Sequence, residues 1–401
     1  MEISEDYRKL LGFDVELRRE GRAVFLAPKL PEKKNYPPTS LPVFYNPASR
    51  SSRDMAVLFL KAFFEGEKIS ICEPLAGTGV RSIRLILETG LVDYALVNDI
   101  SSNAYELIKI NAKLNNVEGI LEASNIDGNE LLAARGRGRP RFRYVDIDPT
   151  GSPSRFLENG LRGCGKNSVL GVTATDLSAL TGAKPRSCLR KYDSYPVKTP
   201  FLREVAVRIL AGFVVRTASR LGLSSEPVFS FLKDYYVRVF VKVSPGIEKA
   251  KKLLESIGWL SYCSRCLSIY VFRVGDIPVC RCSRCSLEIP SIGPLWLGEL
   301  CSRELAEKML RYSYEDRDLY SEVVSTIEYI VHEDTSLIGY YPVNLLASTF
   351  RVNPIKPRKI VEELNNMGYR ATLTHLDRAA FKTDASIETI REIFTSTLRN
   401  D

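Results

Sequence analysis

Two groups of residues in this 401-residue chain have the types and the spacing to do chemistry. The first is a set of glycines and acids that follow short apolar runs: Glu73-Pro-Leu-Ala-Gly77-Thr-Gly79, then Asp99, then Asp127, then Asp146-Ile-Asp148-Pro149. The second is a pair of cysteine knuckles, Cys263-x-x-Cys266 and Cys282-x-x-Cys285. Glycines let a backbone turn tightly and approach a ligand. An acid about 20 residues beyond such a turn is placed to meet ribose hydroxyls. The third glycine of a dinucleotide fingerprint is missing, because position 82 is Ser82 with Arg81 beside it. The expected ligand is therefore a nucleoside without a pyrophosphate, S-adenosylmethionine rather than a nicotinamide dinucleotide.

Each residue then has an expected role. Glu73, Gly77 and Gly79 form the turn that leaves room for the methionine portion. Asp99 accepts from the ribose diol and Asp127 from the adenine amino group. Arg81 or Arg53 pairs with the methionine carboxylate. The plainer readings are a strand-end turn, solvated surface acids and surface ion pairs. Asp148 suits a different task. The exocyclic amine of a nucleobase is a weak nucleophile because its lone pair is drawn into the ring. A carboxylate that accepts one N–H raises the electron density on nitrogen, a kind of help worth roughly 10²–10⁴ in rate. The carbonyl of Pro149 offers a second acceptor. Asp146 lies on the same strand face and rivals Asp148, and a strand-end turn in which Asp148 caps the next helix is the plainer reading.

The knuckle spacing lets four thiolates surround one Zn²⁺ as a structural site, with every position filled by protein. Cys280 is a fifth candidate, and reduced or redox-active cysteines are the alternatives.

These residues need a scaffold. Apolar runs at 69–72, 94–97, 119–123, 143–147 and 168–173 read as strands, separated by helical patterns at 80–88, 104–114 and 129–134. Such alternation predicts a parallel sheet with ligands at the carboxyl ends of its strands. A strand over 235–243 and a helix over 247–256 follow. Beyond residue 318 the pattern is helix (320–332), helix (343–350), a turn at Pro354 and Pro357, helix (358–366) and strand (369–374), a winged-helix-like module. His375 and Asp377 are expected in its wing as a surface loop, with RNA contact the alternative. His332 is expected to cap the end of a helix. The segment around Trp296 reads as packing between domains.

Composition limits the partners. Apolar residues make up 45% and charged residues 26%, as in globular proteins. The net charge of +8 suits a polyanion. Two histidines make a His-rich metal site or a His-based triad a poor expectation. No apolar run reaches the roughly 18 residues of a membrane span. Residues 1–10 mix acids and bases without an apolar stretch, so no secretory leader is expected. A cytoplasmic location follows, and the oligomer expected is a monomer. Arg135, Arg137, Arg139, Arg141 and Arg143 form either an RNA contact or a solvated loop. Lys184, Arg186, Arg190, Lys191 and Tyr192 follow the fifth strand and are the better RNA candidates.

The chain resembles the tRNA guanine-26 N2-dimethyltransferases along nearly its whole length. The resemblance runs through Phe44-Tyr45-Asn46-Pro47 with Arg53-Asp54, Asp146-Ile147-Asp148-Pro149 with Gly151-Ser152-Pro153, and Thr173-Ala174-Thr175-Asp176 with Leu180 and Gly182. It continues through the knuckles, Gly293-Pro294-Leu295-Trp296-Leu297-Gly298 and Lys382-Thr383-Asp384. It implies that Arg53, Arg81, Asp99 and Asp127 hold S-adenosylmethionine, that Asp148 is the catalytic carboxylate, and that Phe44 is an aromatic set against the reacting site. One position departs: the family carries an aromatic after Asp-Pro, where this chain has Thr150. Phe25, Phe44 or Tyr45 is then expected to supply the stacking face.

The expectation is an α/β protein with a class I, Rossmann-like methyltransferase domain over 1–258. A smaller α+β domain over 259–401 would carry zinc, a winged-helix-like module and tRNA binding. The expected reaction moves one or two methyls to N2 of guanine 26 in tRNA. The alternatives are an amino methyltransferase for another nucleobase or a protein amide, and a tRNA-binding protein that no longer methylates.

Overall fold

A computed structural model describes residues 4–31, 36–135 and 141–396. The chain forms two compact units that are interleaved in sequence. Residues 1–173, 242–244 and 307–325 make the first, and 174–241, 245–306 and 326–401 the second.

The first unit begins with α1 (Ser4–Leu11) and the antiparallel hairpin β1 (Val15–Glu20) and β2 (Ala23–Pro28), followed by α2 (Arg50–Phe64). Strands then alternate with helices: β3 (Ile69–Glu73), α3 (Val80–Thr89), β4 (Val92–Asn98), α4 (Ser102–Leu114), β5 (Leu121–Ser124), α5 (Gly128–Arg135), β6 (Phe142–Ile147), α6 (Leu157–Gly163) and β7 (Cys164–Ala174). The five strands lie in the order β5-β4-β3-β6-β7 and all pair in parallel. Ile71, Leu96, Val145 and Leu170 fill its centre, fully buried. The order reverses between β3 and β6, which opens a crevice beyond the carboxyl ends of the strands. Glu73 ends β3, Asp99 follows β4, Asp127 follows β5 and Asp148 follows β6, so the sheet gathers the four acids at one edge.

A buried ion network braces α2 and α3. Arg84 pairs with Glu20 at 2.8 Å, Asp54 at 2.6 Å and Glu88 at 2.7 Å. Arg53 grips Glu20 through two bonds of 2.6 Å. Burial works against ionising Glu20, but Arg53 and Arg84 outweigh it and hold its carboxyl down at about 2. Burial wins at Asp54, pushing it up to about 6.

The second unit holds α7 (Leu177–Leu180), α8 (Pro185–Tyr192), α9 (Leu202–Arg220), β8 (Leu223–Lys233) and β9 (Tyr236–Pro245), the last extending into residues 242–244 of the first. Next come α10 (Ile247–Leu254), β10 (Ile257–Tyr262), β11 (Ile269–Arg273) and β12 (Ser291–Trp296), then α11 (Arg303–Glu315) and α12 (Arg317–His332), of which residues 307–325 belong to the first unit. Fourteen of the nineteen residues of α9 are buried. Within the first unit, the stretch 307–325 places the Tyr320 hydroxyl 3.0 Å from Glu88 and the Leu319 carbonyl 3.1 Å from Arg50.

The carboxyl-terminal module is β13 (Tyr341–Pro342), α13 (Val343–Phe350), α14 (Pro357–Asn366), β14 (Ala371–Leu373), β15 (Ala380–Thr383) and α15 (Ile387–Ser396), with an antiparallel sheet ordered β13-β15-β14. Leu346, Ile360, Leu364, Phe381 and Ile390 form its core. The surface position expected for His375 does not hold. Its side chain is fully buried, with Nδ1 2.6 Å from Glu333. Glu333 also pairs with Lys382 at 3.0 Å, and Lys382 with Glu204 at 3.1 Å. A buried carboxylate needs partners, and the loop turns inward to supply one. Arg208 donates to the carbonyls of Trp296 and Gly298, so the Gly293–Gly298 segment packs within this unit.

Candidate active site

The glycine turn is built by side chains from neighbouring strand ends. Gly77 and Gly79 adopt left-handed backbone angles, φ +55° and +74°, which L side chains rarely reach. Asp99 accepts from the Gly77 amide at 2.8 Å and the Ser101 amide at 3.0 Å, tying the turn after β3 to the loop after β4. Buried Asn98 donates to the carbonyls of Pro74 and Ile126 and accepts from the Ile126 amide, so three strand ends are locked together. Asn111 on α4 donates to the Thr78 carbonyl. Sequence reasoning missed both asparagines. The signal for Asn98 was its place beside Asp99 at the end of a buried strand. Asn111 had none.

Asp127 caps α5, accepting from the amides of Asn129 at 2.8 Å and Glu130 at 3.3 Å. Beside these acids stand Ile100, 67% exposed, and Ile126, 39% exposed. Isolated aliphatic side chains at a strand edge suit the faces of a flat heterocycle.

Arg81, on the first turn of α3, lies among three carboxylates. Its Nε is 3.3 Å from Glu73, one terminal nitrogen is 3.6 Å from Asp146, and the other pairs with Asp148. Burial alone would favour the neutral guanidine, but the acids raise its pKa instead. Glu73 accepts the Ser82 hydroxyl at 2.6 Å and the Ser82 amide at 3.2 Å, yet burial, helped by Asp146, still pushes it up to about 7. Asp146 accepts from the Tyr144 hydroxyl and is 1% exposed, whereas the side chain of Asp148 is 23% exposed. The two acids share a strand face, but only Asp148 opens on the crevice.

Phe44, Tyr45, Asn46, Arg53, Thr78 and Asp148 line one small cavity with Arg81. Phe44 is 43% exposed. Tyr45 is not the alternative stacking face, because it is buried, with Arg18 and Arg53 over its ring at 5.4 and 5.7 Å. Phe25 is fully buried edge-on to Tyr45. Of the three, Phe44 is thus the exposed aromatic at the cavity. Arg53 lines it too, with Nε and one terminal nitrogen held by Glu20 and the Asn46 carbonyl.

The basic candidates divide. Lys184, Arg186 and Arg190 are exposed. Lys191 and Tyr192 are not available as expected: both bond to Asp176, and Tyr192 is buried. In the arginine-rich run, Arg143 pairs with Glu67, and residues 136–140 lie outside the described residues.

The sulfurs of Cys263, Cys266, Cys282 and Cys285 all lie within 4.8 Å of one another. Both knuckles close in the same way. The first cysteine amide donates five residues ahead, to Ser268 or Leu287, and its carbonyl accepts four residues ahead, from Leu267 or Ser286. Such a cluster fits one tetrahedral metal ion. Cys280 is exposed and outside it.

The family profile described as N2,N2-dimethylguanosine tRNA methyltransferase matches residues 23–395. The tRNA (guanine(26)-N(2))-dimethyltransferase of Pyrococcus furiosus is 35% identical over 390 residues, covering 93% of this chain and 97% of the relative. The tRNA (guanine(26)-N(2)/guanine(27)-N(2))-dimethyltransferase of Aquifex aeolicus is 32% identical over 388 residues, covering 94% and 95%. The solved structure of Trm1 from Pyrococcus horikoshii in complex with S-adenosyl-L-methionine superposes with a TM-score of 0.82 at 32% identity, covering 94% of this chain and 99% of that one. With the profile spanning both units and relatives alike from end to end, this chain belongs to the N2,N2-dimethylguanosine tRNA methyltransferase family.

Proposed function

We propose that the protein transfers methyl groups from S-adenosylmethionine to the exocyclic N2 of guanine 26 in tRNA. The observation that carries this reading is the pairing of Asp148, the accessible acid of the crevice, with the exposed ring of Phe44 in one cavity that ends on the glycine turn.

Bound S-adenosylmethionine supplies an electrophilic methyl on a sulfonium. The residues present suit it. Asp99 faces the ribose hydroxyls, Asp127 the adenine amine, Ile100 and Ile126 the ring faces, and Arg81, with Arg53 beside it, the carboxylate end. Glu73 acts at one remove by holding Arg81 and the Ser82 amide. Asp148 accepts an N–H of the guanine amine, holds it in line, and would take the proton released as the new N–C bond forms and the donor's S–CH3 bond breaks, its electron pair staying on sulfur to leave S-adenosylhomocysteine. The Pro149 carbonyl accepts the second N–H. Position 26 is stacked in folded tRNA, so the base must be extruded at a cost of a few kcal/mol. Phe44 receives it by stacking, worth roughly 1–3 kcal/mol.

We assign donor binding to residues 1–258 and tRNA binding to residues 259–401, helped by exposed Lys184, Arg186 and Arg190. The four-cysteine cluster is assigned to structural Zn²⁺, with all its ligands from protein.

The test is incubation of an unmodified tRNA transcript with the protein and methyl-labelled donor, followed by nucleoside analysis and mapping. N2,N2-dimethylguanosine at position 26 is expected. Methylation of another atom would assign a different amine, and tight tRNA binding without transfer would leave a binding protein. Label at position 27 as well would match the Aquifex aeolicus relative.

A further inference from the structure

The three acids around Arg81 are not equivalent. Glu73 has the Ser82 hydroxyl and amide as further donors, and Asp146 has the Tyr144 hydroxyl. Both are buried. Among the described residues, Arg81 is the one group bonded to the Asp148 carboxylate, which also reaches solvent. Losing Arg81 would remove the cation that compensates two buried carboxylates, Glu73 and Asp146, at a high cost in free energy. Losing it would leave Asp148 facing the open crevice, where water or an N–H can replace the guanidinium. Arg81 therefore has one exchangeable partner.

The neighbouring cation is differently placed. Arg53 holds Glu20 through Nε and one terminal nitrogen, which also donates to the Asn46 carbonyl, and Glu20 is buried and shared with Arg84. Without breaking that buried network, an anion entering the cavity could reach Arg53 only through its other terminal nitrogen. It would displace only Asp148 to take Arg81.

We propose that Arg81 is shared in turn by Asp148 and the carboxylate of the methyl donor, so that seating the donor releases Asp148 to accept the guanine amine. The inference rests on the donor reading above and adds a coupling to it: the acid becomes a free acceptor when a methyl source is in place. Two ligands competing for one cation show a reciprocal penalty, so weakening one tightens the other.

The test uses two nucleosides on the full chain. S-Adenosylhomocysteine carries the amino-acid carboxylate, and 5′-methylthioadenosine shares the nucleoside and thioether without it. Calorimetry on wild type and Asp148→Asn is expected to show S-adenosylhomocysteine binding tightened by about 10-fold, within the usual range of coupling between sites, and 5′-methylthioadenosine unchanged. Crystals are expected to show the Arg81–Asp148 pair kept with 5′-methylthioadenosine and opened with S-adenosylhomocysteine, whose carboxylate lies on Arg81. An unchanged affinity for both, an equal gain for both, or a carboxylate lodged on Arg53 with the pair intact would overturn the sharing while leaving the donor reading standing. Failure of both nucleosides to bind would overturn the two together.

Discussion

The carbonyl oxygen of Phe44 occupies the space that a side chain at residue 77 would need: a Cβ built on Gly77 would lie 2.5 Å from it. The glycine turn after β3 and the backbone at Phe44 are thus pressed together. Gly77→Ala should add a steric clash to the strain of a left-handed angle, itself about 1–2 kcal/mol. Gly90→Ala is the control, because Gly90 has a similar φ of +66° with nothing within 4 Å. The expected result is a larger loss of thermal stability and of S-adenosylhomocysteine affinity in Gly77→Ala than in Gly90→Ala. Equal losses would remove the contact with Phe44 from the explanation.

Phe44 yields a second prediction. Its ring is exposed beside Asp148, while Tyr45 and Phe25 are buried. Phe44→Leu should lower kcat/KM for tRNA about 5- to 150-fold, the equivalent of roughly 1–3 kcal/mol of stacking. The Kd for S-adenosylhomocysteine should stay within about twofold. A loss confined to nucleoside binding, with tRNA turnover intact, would place the ring on the donor instead.

Much of this site was legible before any coordinates, for a physical reason. The strands of a parallel sheet are buried on both faces, so they read as apolar runs, and the acids that follow them fall at one edge by topology. The placement of Asp99, Asp127 and Asp148 just beyond the strand ends is legible that way. What packs was harder to read than what repeats. Helix α9 buries fourteen of nineteen residues, leaving no polar stripe to give it a period. His375 lay in a segment that looked like an exposed wing, because its partner Glu333 is 42 residues away. The choice between Asp146 and Asp148 was open in sequence, where alternation puts both on one face. Tyr144 and burial separate them. Glu20, which holds Arg53 from 33 residues away, had no local signal at all.

Glu73 makes the protein's stability depend on pH in a defined direction. Burial raises its carboxyl from 4.5 to about 7. Below about pH 4.5 it is protonated folded or unfolded, so there is no penalty. As pH rises from there to about 7, the unfolded chain releases the proton that the folded chain retains, and folding is progressively disfavoured. The full effect above pH 7 is roughly 3 kcal/mol. Urea denaturation of wild type and Glu73→Gln across this window isolates the term, because other titrating groups are common to both. Wild type should lose stability relative to the variant as pH rises and level off above neutrality. A pH-independent difference would mean that Glu73 ionises over the same pH range in the fold as in the unfolded chain.

The cysteine cluster can be tested by position. Cys282 is buried within the four-sulfur group, while Cys280, two residues earlier, is exposed and outside it. Both lie in the same short segment, so a substitution that merely disturbed the backbone there would affect them alike. Elemental analysis of purified protein should give one zinc per chain in wild type and in Cys280→Ser, and markedly less in Cys282→Ser. A thiolate-bound zinc in a small module contributes folding free energy on the order of 10 kcal/mol. Loss of the ion should therefore release the hairpin around β10 and β11 to proteases before the parallel sheet of the first unit unfolds. Equal zinc in all three proteins would show that the metal lies elsewhere. Zinc lost from Cys280→Ser alone would move the fourth ligand to that position and leave Cys282 as a buried thiol.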